Sequence, residues 1–231
     1  MDIKSIFDKF EEIGVCTFST IDNGYPESRV AHFIAYDKEG LYFMTMNCKP
    51  FYRQLTETGK VSVTGLKAST QVKMTSDRNL VFEPGYFIRV TGDVREVSVN
   101  EIKAKNNPIF TYGLEDIERY PNMVFFLIYR AKGEIYDYDF DKIHRGHKLE
   151  RKRFSIGNFP FNKPGFSISQ KCIGCGACFK VCSFDAILKD PQNGKMRISG
   201  DRCDECGNCY NVCPYGAIHL PQGLQRSVTV R

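Results

Sequence analysis

The stretch CIGCGACFKVC at residues 172–182 is followed by CDECGNCYNVC at residues 203–213. Both have the spacing C-x2-C-x2-C-x3-C, and together they hold eight of the 10 cysteines in the chain. A cubane iron–sulfur cluster needs four thiolates, and a tight loop with a ligand at every third position offers three of them to one face of the cube. Structural zinc sites, the competing interpretation, use two pairs of ligands and seldom two runs of four. The spacing therefore predicts two iron–sulfur clusters, each with a fourth ligand from elsewhere.

Residues from about 166 to 222 resemble a bacterial two-cluster ferredoxin domain, with the cysteine run present twice and Pro214 after the last cysteine. The resemblance implies a small βαββαβ fold and two [4Fe–4S] clusters, with the fourth cysteine of each run bound to the other cluster. Ser183 stands where the family has proline after the first run, which removes no ligand. The implied ligand sets are Cys172, Cys175, Cys178 and Cys213 for one cluster, and Cys203, Cys206, Cys209 and Cys182 for the other.

Composition places the cysteines in a reducing compartment. The 231 residues, 42% hydrophobic and 13% aromatic, are enough for one good core and a second small one. The N-terminal MDIKSIFDKFEE lacks the basic and apolar regions of an export signal, and the longest apolar run, Met123 to Tyr129, is too short to cross a membrane. A disulfide framework is typical of small secreted chains. We therefore expect a cytoplasmic protein without a membrane span, whose clustered cysteines bind metal.

The positive charge of the chain is concentrated between the two predicted domains. Residues 141–165 hold 7 basic and 2 acidic residues and several glycines and prolines, without apolar periodicity. We interpret this stretch as a basic connector between a domain at 1–140 and a cluster domain with a C-terminal tail at 166–231. The run from Lys148 to Arg153 is either a solvated connector, or one laid over an acidic domain face, or a contact for nucleic acid or an acidic partner. We expect one of the first two and no nucleic-acid binding.

Residues 1–140 have the pattern of a mainly β domain. Ile3, Ile6, Phe7, Phe10 and Ile13 share one face of a short helix. Further helices are predicted over KPFYRQLTETG (49–59) and from about residue 100. The first three strands read as an antiparallel meander, and many strands with few helices indicate a closed or split barrel. The predicted strands are VCTFSTID (15–22), ESRVAHFIAYD (27–37), LYFMTM (41–46), KVSVTGLK (60–67), GYFIRVTGDVREVS (85–98) and MVFFLIYRAKGEIYDYDF (123–140).

This order, with the stretches ESRVAHF and TMNCKPFYRQL, resembles the FMN-binding split-barrel family of pyridoxamine 5'-phosphate oxidase over most of residues 1–140. In that family an arginine on the second strand and a threonine and lysine near a strand-to-helix turn hold the FMN phosphate. The resemblance implies Arg29, Thr45 and Lys49 for these roles, with Asn47 as a further contact. Arginine and lysine side chains and a helix N-terminus all suit a phosphate. The family also implies a homodimer with FMN at the subunit joint.

Other interpretations of single residues remain open. Arg29 is equally suited to pairing with a surface carboxylate, and Thr45 to capping the following helix. Cys16 and Cys48 are expected to be packing or incidental residues rather than metal ligands. His32 lies on the strand of Arg29 and is expected to be a barrel residue rather than a contact of the flavin ring. No residue of the first domain stands out as an obligatory acid or base, so no catalytic residue is predicted.

The two resemblances together indicate a redox protein. We expect an FMN-dependent oxidoreductase in which FMN exchanges two electrons with a substrate, while two [4Fe–4S] clusters relay single electrons to or from a partner protein. The alternative is an electron carrier or adaptor without a substrate of its own, which docks to acidic partners through its basic surfaces. Fold alone does not decide between the two.

Overall fold

The computed structural model describes residues 1–67, 72–74, 76–77, 80–82, 85–138, 149–160 and 165–221. The N-terminal helices are α1 (Ile3–Ile13), α2 (Pro50–Thr58), α3 (Val99–Ala104) and α4 (Thr111–Arg119), with a 3-10 turn at Pro108–Phe110. The strands are β1 (Cys16–Asp22), β2 (Tyr25–Ala31), β3 (Phe33–Asp37), β4 (Gly40–Met46), β5 (Lys60–Lys67), β6 (Val72–Met74), β7 (Leu80–Phe82), β8 (Gly85–Val97), β9 (Met123–Tyr138) and β10 (Leu149–Ile156).

Helix α1 forms where the apolar periodicity predicts it. The Asp2 carboxylate accepts a hydrogen bond of 2.8 Å from the backbone N–H of Ser5, which caps the helix. Its buried face consists of Ile6, Phe7 and Phe10. Burying such side chains contributes roughly 1.5–3 kcal/mol each, so the helix is held by its contact with the sheet.

The main sheet is antiparallel in the order β2-β1-β5-β8-β9-β4-β3, and β10 pairs with β9. The prediction of one strand over 27–37 within a simple meander was wrong. His32 interrupts the stretch, so that β2 pairs with β1 while β3 pairs with β4 near the other end of the order. β2 is largely exposed on both faces and suits an edge, whereas Phe33 and Ala35 of β3 are buried.

The core between α1, α2 and the sheet is aromatic. The Phe18 ring lies 5.2 Å from that of Phe33 and 5.0 Å from that of Phe43, and Phe43 stacks on Phe126 at 5.7 Å. Rings at these separations add packing beyond their buried area. The architecture confirms the mainly β, split-barrel class predicted for this part of the chain.

The C-terminal part has the predicted βαββαβ order. Strand β11 pairs with β14, and β12 pairs with β13, both antiparallel. The elements are β11 (Ser167–Ile168), α5 (Ala177–Lys180), β12 (Ile187–Lys189), β13 (Met196–Ile198), α6 (Asn208–Asn211) and β14 (Ile218–His219). The small core between them contains Phe166, Ile187 and Ile218.

The chain divides into two units. The first comprises Met1–Ala68, Tyr86–Ile135 and Arg153–Phe161, and the second Ser69–Gly85, Tyr136–Lys152 and Asn162–Arg231. Domain boundaries at 140 and 165 stay a prediction, and much of the predicted connector, residues 141–148 and 161–164, lies outside the described residues. Strand β10 was not predicted there. Within the described ranges, each helix is too short or too polar to cross a bilayer.

Candidate functional site

The two cysteine loops have the same backbone conformation, 31 residues apart. Gly174 (φ 74°) corresponds to Glu205 (φ 61°), and Gly176 (φ 78°) to Gly207 (φ 82°), all in the left-handed region. A Cβ at Gly174 would collide with the carbonyl oxygen of Gly194, which explains the glycine there. The left-handed turns wrap each loop around its cysteines.

Backbone N–H groups point at the sulfurs in both halves of the repeat. Gly174 and Glu205 each donate to the Sγ of the first cysteine of their run, at 3.4 Å. The residues four positions after each fourth cysteine do the same, with Ala186 donating to Cys182 and Ala217 to Cys213 at 3.3 Å. Hydrogen bonds of this kind favour a thiolate over a thiol.

Two small cavities are lined by the eight cysteines of the runs. The first cavity is lined by Cys172, Cys175, Cys178 and Cys213. The second cavity is lined by Cys203, Cys206, Cys209 and Cys182. Each cavity thus receives three cysteines of one run and the fourth of the other, which is the donor set that a cubane cluster requires.

None of the 10 cysteines, all of which lie in the described ranges, forms a disulfide. Burial raises the pKa of Cys209 to about 11, and burial also raises the pKa of Cys178 and Cys203. Because metal binds the thiolate, the loss of protons from these three cysteines would be part of the cost of binding a cluster. Among the described residues, no three His, Cys, Asp or Glu side chains are grouped to hold a single metal ion.

A feature that the sequence did not predict lies beside the second cavity. The guanidinium of Arg151 in β10 is almost fully buried and contacts the carboxylate of Glu205 at 3.2 Å. The backbone N–H of Arg151 donates to the carbonyl of Asp201 at 2.8 Å, and its side chain lies 4.1 Å from the centre of the Tyr136 ring. A residue of the predicted basic connector thus belongs to the surroundings of a cysteine loop.

In the barrel, Arg29 of β2 reaches the first turns of α2. Its Nη1 donates to Thr20 Oγ1 at 2.6 Å and to the Glu27 carbonyl at 3.0 Å, and its Nη2 donates to Gln54 Oε1 at 2.6 Å. The guanidinium carbon lies 4.3 Å from the centre of the Phe51 ring. Burial lowers the pKa of Arg29. The strand arginine is therefore held at the helix by neutral acceptors rather than by a surface carboxylate.

Gln54 is itself fixed by an acidic neighbour. Its amide donates to Asp22 at 3.0 Å, and Arg53 donates to the same carboxylate at 2.8 Å. The hydrogen bond from Gln54 and that from Arg53 lower the pKa of Asp22. The orientation of Gln54, and with it that of Arg29, is set by this pair.

The other predicted phosphate residues lie on the connection from β4 to α2. Thr45 is a buried residue of β4 paired with Val124, and it does not cap the helix, because the N-cap is Lys49. Asn47 and Lys49 are exposed, and Lys49 has no side-chain capping hydrogen bond. Together with Arg29, the exposed pair offers cationic and amide groups near the start of α2, which is a suitable donor set for a phosphate.

Comparisons with known proteins agree with the predicted barrel domain and with the predicted cluster domain. Residues 4–110 match the family model described as pyridoxamine 5'-phosphate oxidase, and residues 171–217 match the 4Fe-4S dicluster domain. No curated protein matches the chain.

Solved structures similar to the chain include a NimC/NimA family protein from Clostridium acetobutylicum, with 19% identity and a TM-score of 0.48 over 67% of this chain and 92% of that one. A FAD-binding protein from Mesorhizobium loti has 16% identity and a TM-score of 0.40 over 58% and 92%. PhzG from Burkholderia lata has 17% identity and a TM-score of 0.41 over 66% and 86%. The family-model matches thus show that the first part of the chain is similar to pyridoxamine 5'-phosphate oxidase and the last part to a 4Fe-4S dicluster domain.

Proposed function

We propose that this protein is an oxidoreductase that binds FMN and two [4Fe–4S] clusters, exchanges two electrons with a small-molecule substrate, and passes them singly to or from a redox partner protein. Bound FMN would supply two-electron chemistry, and each bound cluster one-electron chemistry. The combination of the two domains in one chain supports the proposal, because fusion raises the effective concentration of one redox module around the other. A chain whose thiols must stay reduced suits the cytoplasm.

The observation that carries the cluster assignment is the sharing of cysteines between the two cavities. We assign Cys172, Cys175, Cys178 and Cys213 to one cluster, and Cys203, Cys206, Cys209 and Cys182 to the other. The backbone N–H groups of Gly174 and Glu205 stabilise the negative charge on the sulfurs they face. The small core around the loops buries one or two cysteines at each cavity: Cys178 at the first, and Cys203 and Cys209 at the second.

We assign the FMN phosphate to the start of α2. Arg29 would exchange its neutral acceptors, Thr20 and Gln54, for a phosphate oxygen pair, since a charged acceptor makes the stronger hydrogen bond. Lys49 adds a point charge, and Asn47 an amide donor. Thr45 is buried, so it would contribute to the phosphate site in one of two ways. Either it fixes the end of β4, or its hydroxyl donates a hydrogen bond to the phosphate.

A homodimer is part of the proposal. On the outward face of β2, β1, β5 and β8, Val30, Ile21, Leu66 and Phe87 are exposed apolar residues. Between them, Ser19 pairs with Ser28 at 2.8 Å and Ser62 with Thr91 at 2.9 Å, which satisfies the hydroxyls within the sheet. Exposed apolar residues grouped on one sheet face suit contact with a second copy. Sedimentation of the purified protein, and of a Val30→Lys, Phe87→Lys variant, tests this assembly.

The decisive experiment is anaerobic purification followed by iron, sulfide and flavin analysis of one sample. We expect about eight iron and eight sulfide atoms per chain and about one FMN. Reduced flavin, formed by photoreduction, should then pass electrons to the clusters, as followed by their visible bleaching and electron paramagnetic resonance signals. Full iron without flavin, and without uptake of added FMN, would replace this proposal by the carrier or adaptor. Both cofactors present without electron passage between them would also contradict it.

A further inference from the structure

The surface at the first cavity is apolar. Among the described residues from 165 to 221, the exposed large hydrophobic side chains are Ile173 (62% exposed), Phe179 (55%), Val212 (38%) and Tyr215 (50%). Each one is adjacent to, or two residues from, a cysteine of the first cavity. Ile173 and Tyr215 line that cavity. We call these four residues the first-cavity rim.

The repeat supplies an internal comparison, because the two cysteine loops share one backbone conformation. The positions that correspond to the first-cavity rim surround the second cavity, and all four are only partly exposed. They are Asp204, Tyr210, Val181 and Phe184. The cysteines of the second cavity thus have the same arrangement although none of these four corresponding residues is an exposed apolar side chain. Exposure of the first-cavity rim is therefore not a requirement of holding a cluster, and exposed apolar patches mark interaction sites.

The two loops also differ in charge. Residues 171–182 contain Lys171 and Lys180 and no acidic residue, for a net charge of +2. The corresponding residues 202–213 contain Arg202, Asp204 and Glu205, for a net charge of 1 − 2 = −1. Lys171 and Lys180 are exposed. An apolar centre with cationic side chains beside it is complementary to a partner with an apolar centre and an acidic rim.

We propose that the first-cavity rim, with Lys171 and Lys180, is the surface on which an acidic one-electron carrier protein docks, so that electrons enter or leave this protein at the cluster of the first cavity. The proposal rests on the function proposed above and adds which cluster faces the partner. In the step itself, one electron moves from the reduced carrier to the oxidised cluster, or in the reverse direction, with no bond formed or broken. Short-lived electron-transfer complexes need only a small interface.

The test uses the loaded protein and an acidic flavodoxin as the probe. Calorimetry at low ionic strength gives the dissociation constant of the complex, and stopped-flow mixing gives the rate at which reduced flavodoxin bleaches the clusters. The test variants are Lys171→Glu with Lys180→Glu, and Ile173→Ser with Tyr215→Ser. The matched control is Lys189→Glu with Arg202→Glu, because Arg202 corresponds to Lys171 in the other loop and both control residues are exposed.

We expect each test pair to weaken flavodoxin binding and slow its reaction by about tenfold or more, in line with the effect of interface charges on association. The control pair should stay within about twofold of the unmodified protein. Reduction by methyl viologen, which needs no docking surface, should be the same in the unmodified protein, the lysine pair and the control pair. Iron content shows whether a variant keeps both clusters, and Phe179→Ser replaces any variant that does not.

Equal weakening by the control pair would overturn the docking site, as would unchanged binding in the test pairs or no binding of flavodoxin by the unmodified protein. None of these results touches the proposed function, which is judged by flavin content and by electron passage between flavin and clusters. Conversely, the protein could bind flavodoxin normally while its clusters exchange no electrons with flavin. That result would support the docking site and contradict the proposed oxidoreductase function.

Discussion

Arg151 and Glu205 form an ion pair of 3.2 Å in which the arginine is almost fully buried and the glutamate has a left-handed backbone. The first loop has Gly174 at the position of Glu205. A left-handed conformation costs a non-glycine residue roughly 1 kcal/mol. The second loop bears this cost at a residue whose carboxylate pairs with Arg151 and whose backbone N–H faces the sulfur of Cys203. The positive charge on β10 is thereby fixed beside one cavity and not the other.

Arg151→Gln should make the reduction midpoint of one cluster more negative, by tens of millivolts, because it removes a buried positive charge that contacts the Glu205 carboxylate beside that cluster. The other midpoint should stay in place. A redox titration followed by electron paramagnetic resonance measures both. Arg197→Gln, an exposed arginine of β13, is the matched loss of charge and should move neither. A uniform shift of both midpoints in the Arg151 variant would show a general charge effect instead.

Gly174→Ala and Glu205→Gly should differ in how much they destabilise the protein. The alanine places a Cβ against the Gly194 carbonyl in a left-handed backbone, so we expect a destabilisation of more than about 1 kcal/mol and easier loss of iron from the first cavity. Glu205→Gly relieves backbone strain but loses the ion pair, so its net effect should be small. Iron release during a thermal ramp compares them. Equal iron loss in the two variants would contradict this difference.

Cys213→Ser should remove the cluster held by the first run, and Cys182→Ser the cluster held by the second. The reason is that each fourth cysteine lines the cavity of the other run. Iron should fall to about half in each variant. Pairing Cys213→Ser with Arg151→Gln identifies the survivor, since the shifted midpoint must belong to the cluster that remains. If that midpoint is absent, the assignment of cysteines to cavities is wrong.

Arg29→Ala should weaken FMN binding by about 10- to 100-fold, because a hydrogen-bonded charge pair with phosphate is lost. Lys60→Ala is the matched control, because Lys60 of β5 is an exposed cation that pairs with Asp93 at 3.1 Å. Fluorescence titration of the flavin-free protein measures both constants. Riboflavin, which lacks the phosphate, should bind the unmodified protein and the Arg29 variant alike. A similar loss of riboflavin binding would point to a folding defect.

Cys16 gives the barrel a pH dependence at high pH. The side chain is buried, and burial raises its thiol pKa to about 11 from an ordinary value of 9.0. Between these values the unfolded chain loses the proton first, so the stabilisation is complete below pH 9 and is lost as the pH rises toward 11. The free energy of unfolding should fall by about 1.4 kcal/mol per pH unit in this window relative to Cys16→Ala. Urea unfolding at several pH values measures it, and parallel curves for the two proteins would exclude Cys16 as the source.

Periodicity was enough to predict most of the barrel. Helix α1 and strands β1, β5 and β8 lie where apolar spacing places them. The break between β2 and β3 has no glycine or proline to mark it, and His32 carries no turn preference. The break follows from pairing with distant strands, which the local pattern does not contain.

Strand β10 was not predicted, because its arginine side chains pair with carboxylates that lie far from it along the chain. Arg151 pairs with Glu205, and Arg153 lies 3.6 Å from Glu134 of β9. From sequence alone the basic run is expected to be a solvated connector or one laid over an acidic domain face, and its particular partners are not predicted because they are far away along the chain. The cysteine ligands were easier to predict, because their spacing is visible within a short stretch of sequence. The contacts of Arg29 with Thr20, Phe51 and Gln54 could not be predicted in this way, because folding brings these residues together.

A cavity that takes its fourth cysteine from the other run leaves each half of the repeat insufficient by itself. A chain that ended before Cys213 would keep only three cysteines at the first cavity, although the whole first run would still be present. Likewise, deletion of the first run would remove Cys182 from the second cavity. Simple truncation therefore cannot leave either run with a complete set of four cysteines.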